Sequence, residues 1–395
     1  MAAFRALRHR NFRLFFMGQT TSLVGTWMQN VALTWLVYRL SHSELLLGFT
    51  GFLTHLPTLI LGPVGGVVAD RVDRRKIVIL CQALFLLQAV LLAGLTLTGR
   101  VTVAHVMGLA FFQGLVDAFD RPARQSLLVH LAGREDLLNA VSLNSLMYNT
   151  ARVIGPSIGG VMVAAFGEGI CFSVNSLSFL AVLGSLFLVT APPAEPSSDT
   201  SALAHLKEGF RYVSQEAHAR RMLLLNGVVN LAVAPIWVVL PHFADSVFHR
   251  GSSGVGFLTA SMGLGAVVGM LGLAARTTTV GLRSLAFWSV LLLGGAMAAF
   301  AFSPLFALSA AMMALLGFSV MRMNGATNTE LQSRVPEALR GRVMGFFAMA
   351  NVGVLPLGSL GGGALAETVG ASWVVLGGGL ICIMAAVVFR WREAS

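Results

Sequence analysis

Asp117 is a carboxylate set in a strongly apolar stretch, with Gln113 one helical turn before it and Asp120 three residues after it. A charge in such a setting costs several kcal/mol unless it is paired or hydrated, so it marks a functional site by default. Two chemistries fit. Either Asp117 carries a proton, or Asp117 or Asp120 pairs with Arg71 or Arg75 in a charge cluster at a helix end. Arg152 and Arg322 also lie within apolar runs, where they neutralise those carboxylates or bind an anionic cargo; for Arg152 a structural pair is the simpler reading. His55, two residues before Pro57, carries the one side chain type that ordinarily titrates near neutral pH. A satisfied structural histidine is its alternative. Asp245 and Glu330 fall at the ends of apolar runs, where hydration makes a dedicated role unnecessary.

Other chemistries lack their residues. The three cysteines, Cys81, Cys171 and Cys382, are far apart and inside apolar runs, which argues against a disulfide framework or a zinc cluster. The nine histidines show no HExxH spacing, and no GxxxxGK[ST] phosphate loop is present, so neither metal-assisted hydrolysis nor ATP-driven work by this chain is indicated. With no nucleophile–base or metal-ligand constellation, the sequence does not read as an enzyme and calls for no cofactor.

The elements that hold these residues follow from composition. Of 395 residues 56% are hydrophobic and 11% charged, against about 25% charged in soluble domains. Twelve apolar runs, from 12–38 to 372–389, each supply the ~20 residues that cross a bilayer. Placing both termini on one side puts 22 of the 27 Lys and Arg on that side and three on the other. That bias is the positive-inside rule, so both termini are expected in the cytoplasm of a multi-pass protein of a bacterial inner membrane. The net charge of +10 thus reports topology, and no nucleic-acid or obligatory protein partner is called for. The bilayer is the partner, and the basic rim favours anionic lipid headgroups. The basic start (Arg5, Arg8, Arg10, Arg13) lacks a small-residue cleavage site and reads as a retained first helix.

The chain divides once. Residues 191–201 (APPAEPSSDTS) read as a linker, and Leu203, Leu206, Phe210 and Val213 then recur at helical spacing opposite Lys207, Glu208 and Arg211, as in a surface-lying amphipathic helix. The expected domains are therefore 1–190 and 219–395, each a bundle of six spans, joined by 191–218. The halves repeat: GPSIGG at 155–160 has a counterpart in LGSLGGG at 357–363, with Ser157 matching Ser359. Repeated six-helix halves are a transporter signature, because alternating access needs two bodies that rock about a central site. Pro57, Pro63, Pro156, Pro235, Pro241 and Pro356 mark expected kinks.

Between the second and third runs lies Gly66-Val-Val-Ala-Asp70-Arg71-Val-Asp-Arg74-Arg75. It resembles the signature loop of the major facilitator superfamily. The resemblance implies that Asp70 acts as a latch on the N-terminus of the eleventh span, where the helix dipole offers ~0.3–1 kcal/mol and about 2 when partly buried. The second half keeps only Gly272 and puts Arg276 at the aspartate position. Ala151-Arg152-Val-Ile-Gly155-Pro156-Ser-Ile-Gly159-Gly160 resembles the G-x-x-x-G-P-x-x-G-G motif of the superfamily's drug–proton antiporters, with Ala151 for the first glycine; ordinary small-residue packing is the alternative. Gln113-Gly114 matches part of the span-four motif, but Ala110 stands where its arginine is expected. NFRLFFMGQ (11–19), WMQ (27–29), RPARQ (121–125), LKEGFRYV (206–213) and RVPEALRGRVMG (334–345) resemble the enterobactin-exporter-like branch, also described as transmembrane secretion effectors.

That resemblance covers nearly the whole chain and implies an all-α membrane protein, twelve transmembrane helices in two pseudo-symmetric six-helix bundles. By superfamily analogy spans one, four, seven and ten line a cavity. Gln19, Trp27, Gln29, Asn30, Gln113, Asp117, Asn226, Asn230, Trp237, Arg322, Asn324 and Asn328 would then surround a small-molecule substrate. The implied activity is export of a small amphipathic molecule driven by the proton gradient. An uncoupled facilitator and a lysophospholipid transporter stay open beside it.

Overall fold

The computed structural model describes residues 2–133, 135–190, 202–276 and 278–394, without the side chains at 2–4, 70, 138, 202–207, 338 and 392–394. Residues 191–201 of the expected linker and the side chain of Asp70 therefore lie outside the described residues. Hydrocarbon offers no hydrogen bonds, so every backbone group must be satisfied within its own segment. The described chain is accordingly helical throughout, without a strand.

Six long helices form the first half: α1 (Arg10–Ser41), α2 (Glu44–Arg71), α3 (Arg74–Leu97), α4 (Val103–Ala132), α5 (Leu137–Phe166) and α6 (Glu168–Leu188). The short α7 (Ala202–Gln215) follows. The second half contains α8 (Ala217–Val247), α9 (Gly251–Ala274), α10 (Leu282–Ala301), α11 (Phe306–Arg334), α12 (Leu339–Val369) and α13 (Ala371–Ala394). Each of the twelve apolar runs thus becomes one long helix. Nine of these are apolar enough to span by composition alone. α1, α4 and α5, of 32, 30 and 30 residues, are long enough but carry the polar groups singled out above. At ~1.5 Å per residue a 30-residue helix outreaches a ~30 Å hydrocarbon layer, which is why α4 runs on past the apolar run 101–119 into charged sequence.

The expected kinks divide into two kinds. The α-helical hydrogen bonding of α8 is interrupted at Pro235, and a π turn, Phe243–Val247, follows Pro241. In α12 a π turn, Met349–Gly353, precedes Pro356. α2 and α5 carry Pro57, Pro63 and Pro156 as continuous α-helices.

The chain folds as two compact units. One comprises Met1–His42, Leu53–Ser198 and Gly251–Gly256; the other Ser43–Phe52, Asp199–Arg250 and Phe257–Ser395. In the first unit Phe12, Phe15, Val78, Leu127 and Leu186 form a buried core. A chain of buried amides ties α1, α3 and α6 together: Gln29 Nε2 donates to Gln88 Oε1 (2.9 Å), and Asn175 Nδ2 donates to Gln29 Oε1 (2.7 Å). In the second unit α7 packs on α12, with Arg342 2.7 Å from Glu208 and the Phe210 and Phe346 rings 6.4 Å apart.

Small residues let backbones touch. A Cβ on Gly155 would lie 2.5 Å from Trp27 Cβ, one on Gly159 2.8 Å from Met28 Cα, and one on Gly160 2.8 Å from Gly256 Cα. The other unit repeats the arrangement at Gly358 against Ala234, Gly362 against Pro235 and Gly363 against Gly48. The sequence alignment of Ser157 with Ser359 is therefore corrected by one residue. Gly155, Gly159 and Gly160 correspond to Gly358, Gly362 and Gly363, each 203 positions on. Packing, not side-chain identity, fixes that register.

Gly159→Val should lower the melting temperature, since overpacking against the Met28 backbone costs about 1–3 kcal/mol. Gly94→Ala, whose Cβ meets nothing within 4 Å, should leave it unchanged or raise it. Equal melting of the two variants would contradict this account of the helix contact.

Candidate functional site

The α2–α3 loop is held by its own charges. Asp73 caps α3, accepting from the backbone N–H of Arg75 (2.9 Å) and of Lys76 (3.4 Å). Arg74 Nε donates to the Ala69 carbonyl at the end of α2 (3.2 Å), and its NH1 lies 2.6 Å from His130 Nε2 in the last turn of α4. Arg75 donates to the carbonyls of Leu186 and Phe187 (2.9 and 3.0 Å), closing the C-terminus of α6 where carbonyls lack helical partners. These two arginines staple helix ends within one unit, beyond their part in topology. Arg71 is exposed, and a Cβ on Gly66 would meet nothing within 4 Å, so packing gives no reason for glycine there.

On α4 the carboxylates pair one turn ahead. Arg121 NH2 lies 3.3 Å from Asp117 Oδ2, with the two side chains 37% and 17% exposed. Arg124 Nε lies 3.2 Å from Asp120 Oδ2, at 16% and 2%. Asp120 Oδ1 also accepts from Gln82 Nε2 of α3 (3.0 Å). The expectation that Arg75 would pair with these carboxylates is thereby corrected: Arg75 is engaged at α6, and the partners sit on α4 itself. The i,i+4 spacing of Asp117–Arg121 and Asp120–Arg124 was available in the sequence as a signal. The two carboxylates differ in kind. Asp120 is sealed with two partners, whereas Asp117 is part-exposed with one. His55 on α2 lies in electrostatic range of Arg121 and Asp117.

Arg152, on α5, stands apart. Its guanidinium lies over the Trp27 ring, 5.8 Å from the centroid, and among the described residues it has no carboxylate within 4.0 Å. Tyr148, one turn earlier, is 39% exposed. Sequence reasoning passed over it because a lone phenol in an apolar run carries no distinctive spacing. Half-buried Trp27, Asn30, Gln113, Asp117 and Arg152 thus belong to one unit. Gln19 and Gln29 do not share their accessibility. Each is 2% exposed, and Gln29 is spent on the amide chain.

The second unit corrects two further expectations. Asn226 (0% exposed) and Asn230 are buried rather than open to a cavity. Asn226 Nδ2 donates to Asn324 Oδ1 (2.6 Å), and Asn230 Nδ2 donates to the Asn226 carbonyl (2.8 Å), a link from α8 to α11. Glu330, expected to rely on hydration, is 4% exposed. Its Oε1 lies 3.0 Å from Arg283 Nε, 2.7 Å from Arg334 Nε and 3.3 Å from His218 Nε2. Trp237, Arg322, Asn324 and Asn328 are half-buried; Arg322 lies 4.8 Å from the Phe318 ring, and Asn328 accepts from Gln332 (2.8 Å). Arg152 does not neutralise Asp117 or Asp120, whose partners are the α4 arginines.

Comparison with known proteins follows the same lines. A family profile described as transmembrane secretion effector matches residues 1–393. The enterobactin exporter EntS of Shigella boydii serotype 4 is 28% identical over 362 residues, covering 89% of this chain and 86% of that relative. An uncharacterized MFS-type transporter of Bacillus subtilis, YfiS, is 29% identical over 388 residues, covering 93% and 89%. The crystal structure of the nucleoside transporter NupG superposes with a TM-score of 0.79 at 13% identity, covering 100% and 99%, a likeness of fold.

The contrast between the two aspartates is testable. Asp120→Asn leaves Arg124 buried without its counter-charge and should cost about 3–5 kcal/mol, read as a large drop in melting temperature. Asp117→Asn, whose Arg121 partner reaches water, should melt within a few degrees of the wild type. Equal losses in both would show that Asp117 is as structural as Asp120.

Proposed function

This chain belongs to the transmembrane secretion effector family of the major facilitator superfamily, and on that premise we propose that it exports a small amphipathic, siderophore-like molecule in exchange for protons. The coarser part of this statement stands by itself: the chain is a multi-pass membrane transporter of the major facilitator fold, homologous over 89% of its length to an enterobactin exporter, and not an enzyme. Coupling, direction and cargo are the proposal.

The observation that carries it is the difference in partnering along α4. A coupled transporter needs an ionisable group that meets water and whose charge can be exchanged without unfolding the helix around it. We assign this part to Asp117, which is 17% exposed with a single partner at 3.3 Å among the described residues. Ionised Asp117 can accept a hydrogen bond from an acidic hydroxyl of the cargo, and protonation of Asp117 removes that acceptor. Cargo and proton then compete for one carboxylate, which is the elementary requirement of exchange. Arg152 over Trp27 supports the cargo class, since a cation beside an indole face suits an aromatic molecule bearing acidic groups.

The orientation follows the charge bias, with both termini cytoplasmic and protons entering from the opposite side. Asp70 acts as the latch of the signature loop, biasing which access state dominates by a contact of ~0.3–2 kcal/mol. States separated by a few kcal/mol respond measurably to a contact of that size.

Purified protein in unbuffered detergent with a pH indicator tests the coupling, with enterobactin as the first probe. Wild type should change its proton occupancy on ligand addition, and Asp117→Asn should abolish the change while still melting normally. Unchanged proton exchange in that variant would remove Asp117 from the mechanism. Asp70→Asn should slow flux in liposomes by up to roughly thirtyfold, the size of the lost contact, with insertion intact. Normal flux would dismiss the latch.

A further inference from the structure

A cavity of about 610 Å³ opens at one end of the second unit, and none of the residues assigned above to cargo and proton lines it. Arg283, Arg334 and Arg390 line it together with Glu330, Ser284 and Ser333. Among the described residues the lining carries three guanidinium groups and one carboxylate, and that carboxylate is already engaged, its Oε1 within 3.0 Å of both Arg283 and Arg334. Arg390 has no carboxylate within 4.0 Å among the described residues; its guanidinium lies 5.4 Å from the Phe287 ring. The cavity therefore keeps a surplus of positive charge. The first turn of α10, from Leu282 to Ser284, also borders it, and a helix start presents unpaired N–H groups that favour an anion.

Its place in the fold says which anion. α10 begins there, while α11 (Arg334) and α13 (Arg390) end there, so the cavity sits where spans meet water. By the charge bias this is the cytoplasmic end. Val280, 79% exposed, lines the cavity, and Trp288, 63% exposed, stands beside Phe287. Apolar surface beside a cationic hollow matches a molecule with a phosphate at one end and acyl chains at the other. The volume also exceeds what inorganic phosphate fills.

We propose that the cavity between α10, α11 and α13 binds a phosphate-bearing anion, supplied by the headgroup of an acidic phospholipid in the adjoining leaflet. Basic hollows between spans on the cytoplasmic side are suited to such headgroups, each arginine adding about fivefold in affinity, the equivalent of ~1 kcal/mol. The inference stands on the geometry of this unit alone and does not depend on the transport reading.

Native mass spectrometry of the delipidated full chain tests it, with phosphatidylglycerol and phosphatidylcholine added in parallel. Wild type should retain phosphatidylglycerol in preference to phosphatidylcholine. Arg334→Gln/Arg390→Gln should lose that preference by roughly 25-fold, while Arg390→Lys keeps it. Arg100→Gln, a basic residue at the opposite span end, should change nothing. Should the double variant fail to fold, Arg390→Gln alone decides, because among the described residues its side chain anchors no ion pair and a fivefold loss is expected. A parallel melting series with inorganic phosphate separates the sources. Protection by phosphate that the cavity variants lose, without lipid preference, would overturn the headgroup assignment and leave a soluble-anion site. Equal retention of both lipids by the wild type, with no phosphate protection, or undiminished phosphatidylglycerol binding by the variants, would overturn the proposal.

Discussion

A charge cannot be left alone in hydrocarbon, and the arrangement of this protein's few buried charges follows from that cost. Asp120 is enclosed with Arg124 and Gln82, and Glu330 with Arg283, Arg334 and His218. Arg39 and Glu168, joining α1 to α6 by two contacts of 2.7 and 3.2 Å, obey the same rule at the other span end. Against these closed sets, Asp117 with one part-exposed partner and Arg152 with an aromatic ring in place of a counter-ion are exceptions. Exceptions to an expensive rule are where function concentrates, because the missing compensation must come from water, from a proton or from a ligand.

Uncharged polar groups obey a milder version of the rule. The Gln29–Gln88–Asn175 chain and the Asn226–Asn230–Asn324 cluster each link helices inside one unit. They hold α1 to α3 and α6, and α8 to α11, while the glycines of α5 and α12 let backbones approach on other faces. Units with hydrogen-bonded interiors and close glycine-lined contacts are what the proposed alternating access calls for.

How much of this was legible beforehand depended on range. Each span was readable because twenty apolar residues announce themselves locally, and the interruption in α8 because Pro235 removes a hydrogen-bond donor. The ion pairs of α4 lay in the four-residue spacing too, but the carboxylates were assigned to Arg71 or Arg75 instead. What escaped required knowing which face meets which neighbour. Asn226 and Asn230 share a face, but nothing in their spacing shows that Asn324 of α11 meets it. Glu330 looked like a hydrated span end because two of its three partners come from α8 and α10. The repeat register slipped by one because GPSIGG and LGSLGGG share three letters at an offset of 202 and three at 203, and only the backbone contacts, which recur at 203, decide between them.

The central claim is that the incompletely compensated charges of the first unit couple proton to cargo. Its most direct test is the wild-type protein in liposomes loaded with a pH dye, challenged from outside with siderophores, macrolides, dyes and lysolipids. The account predicts a luminal pH change with an aromatic, acid-bearing ligand that empty liposomes do not show. Flux of a labelled ligand without any pH change would contradict it, and would make the protein an uncoupled facilitator.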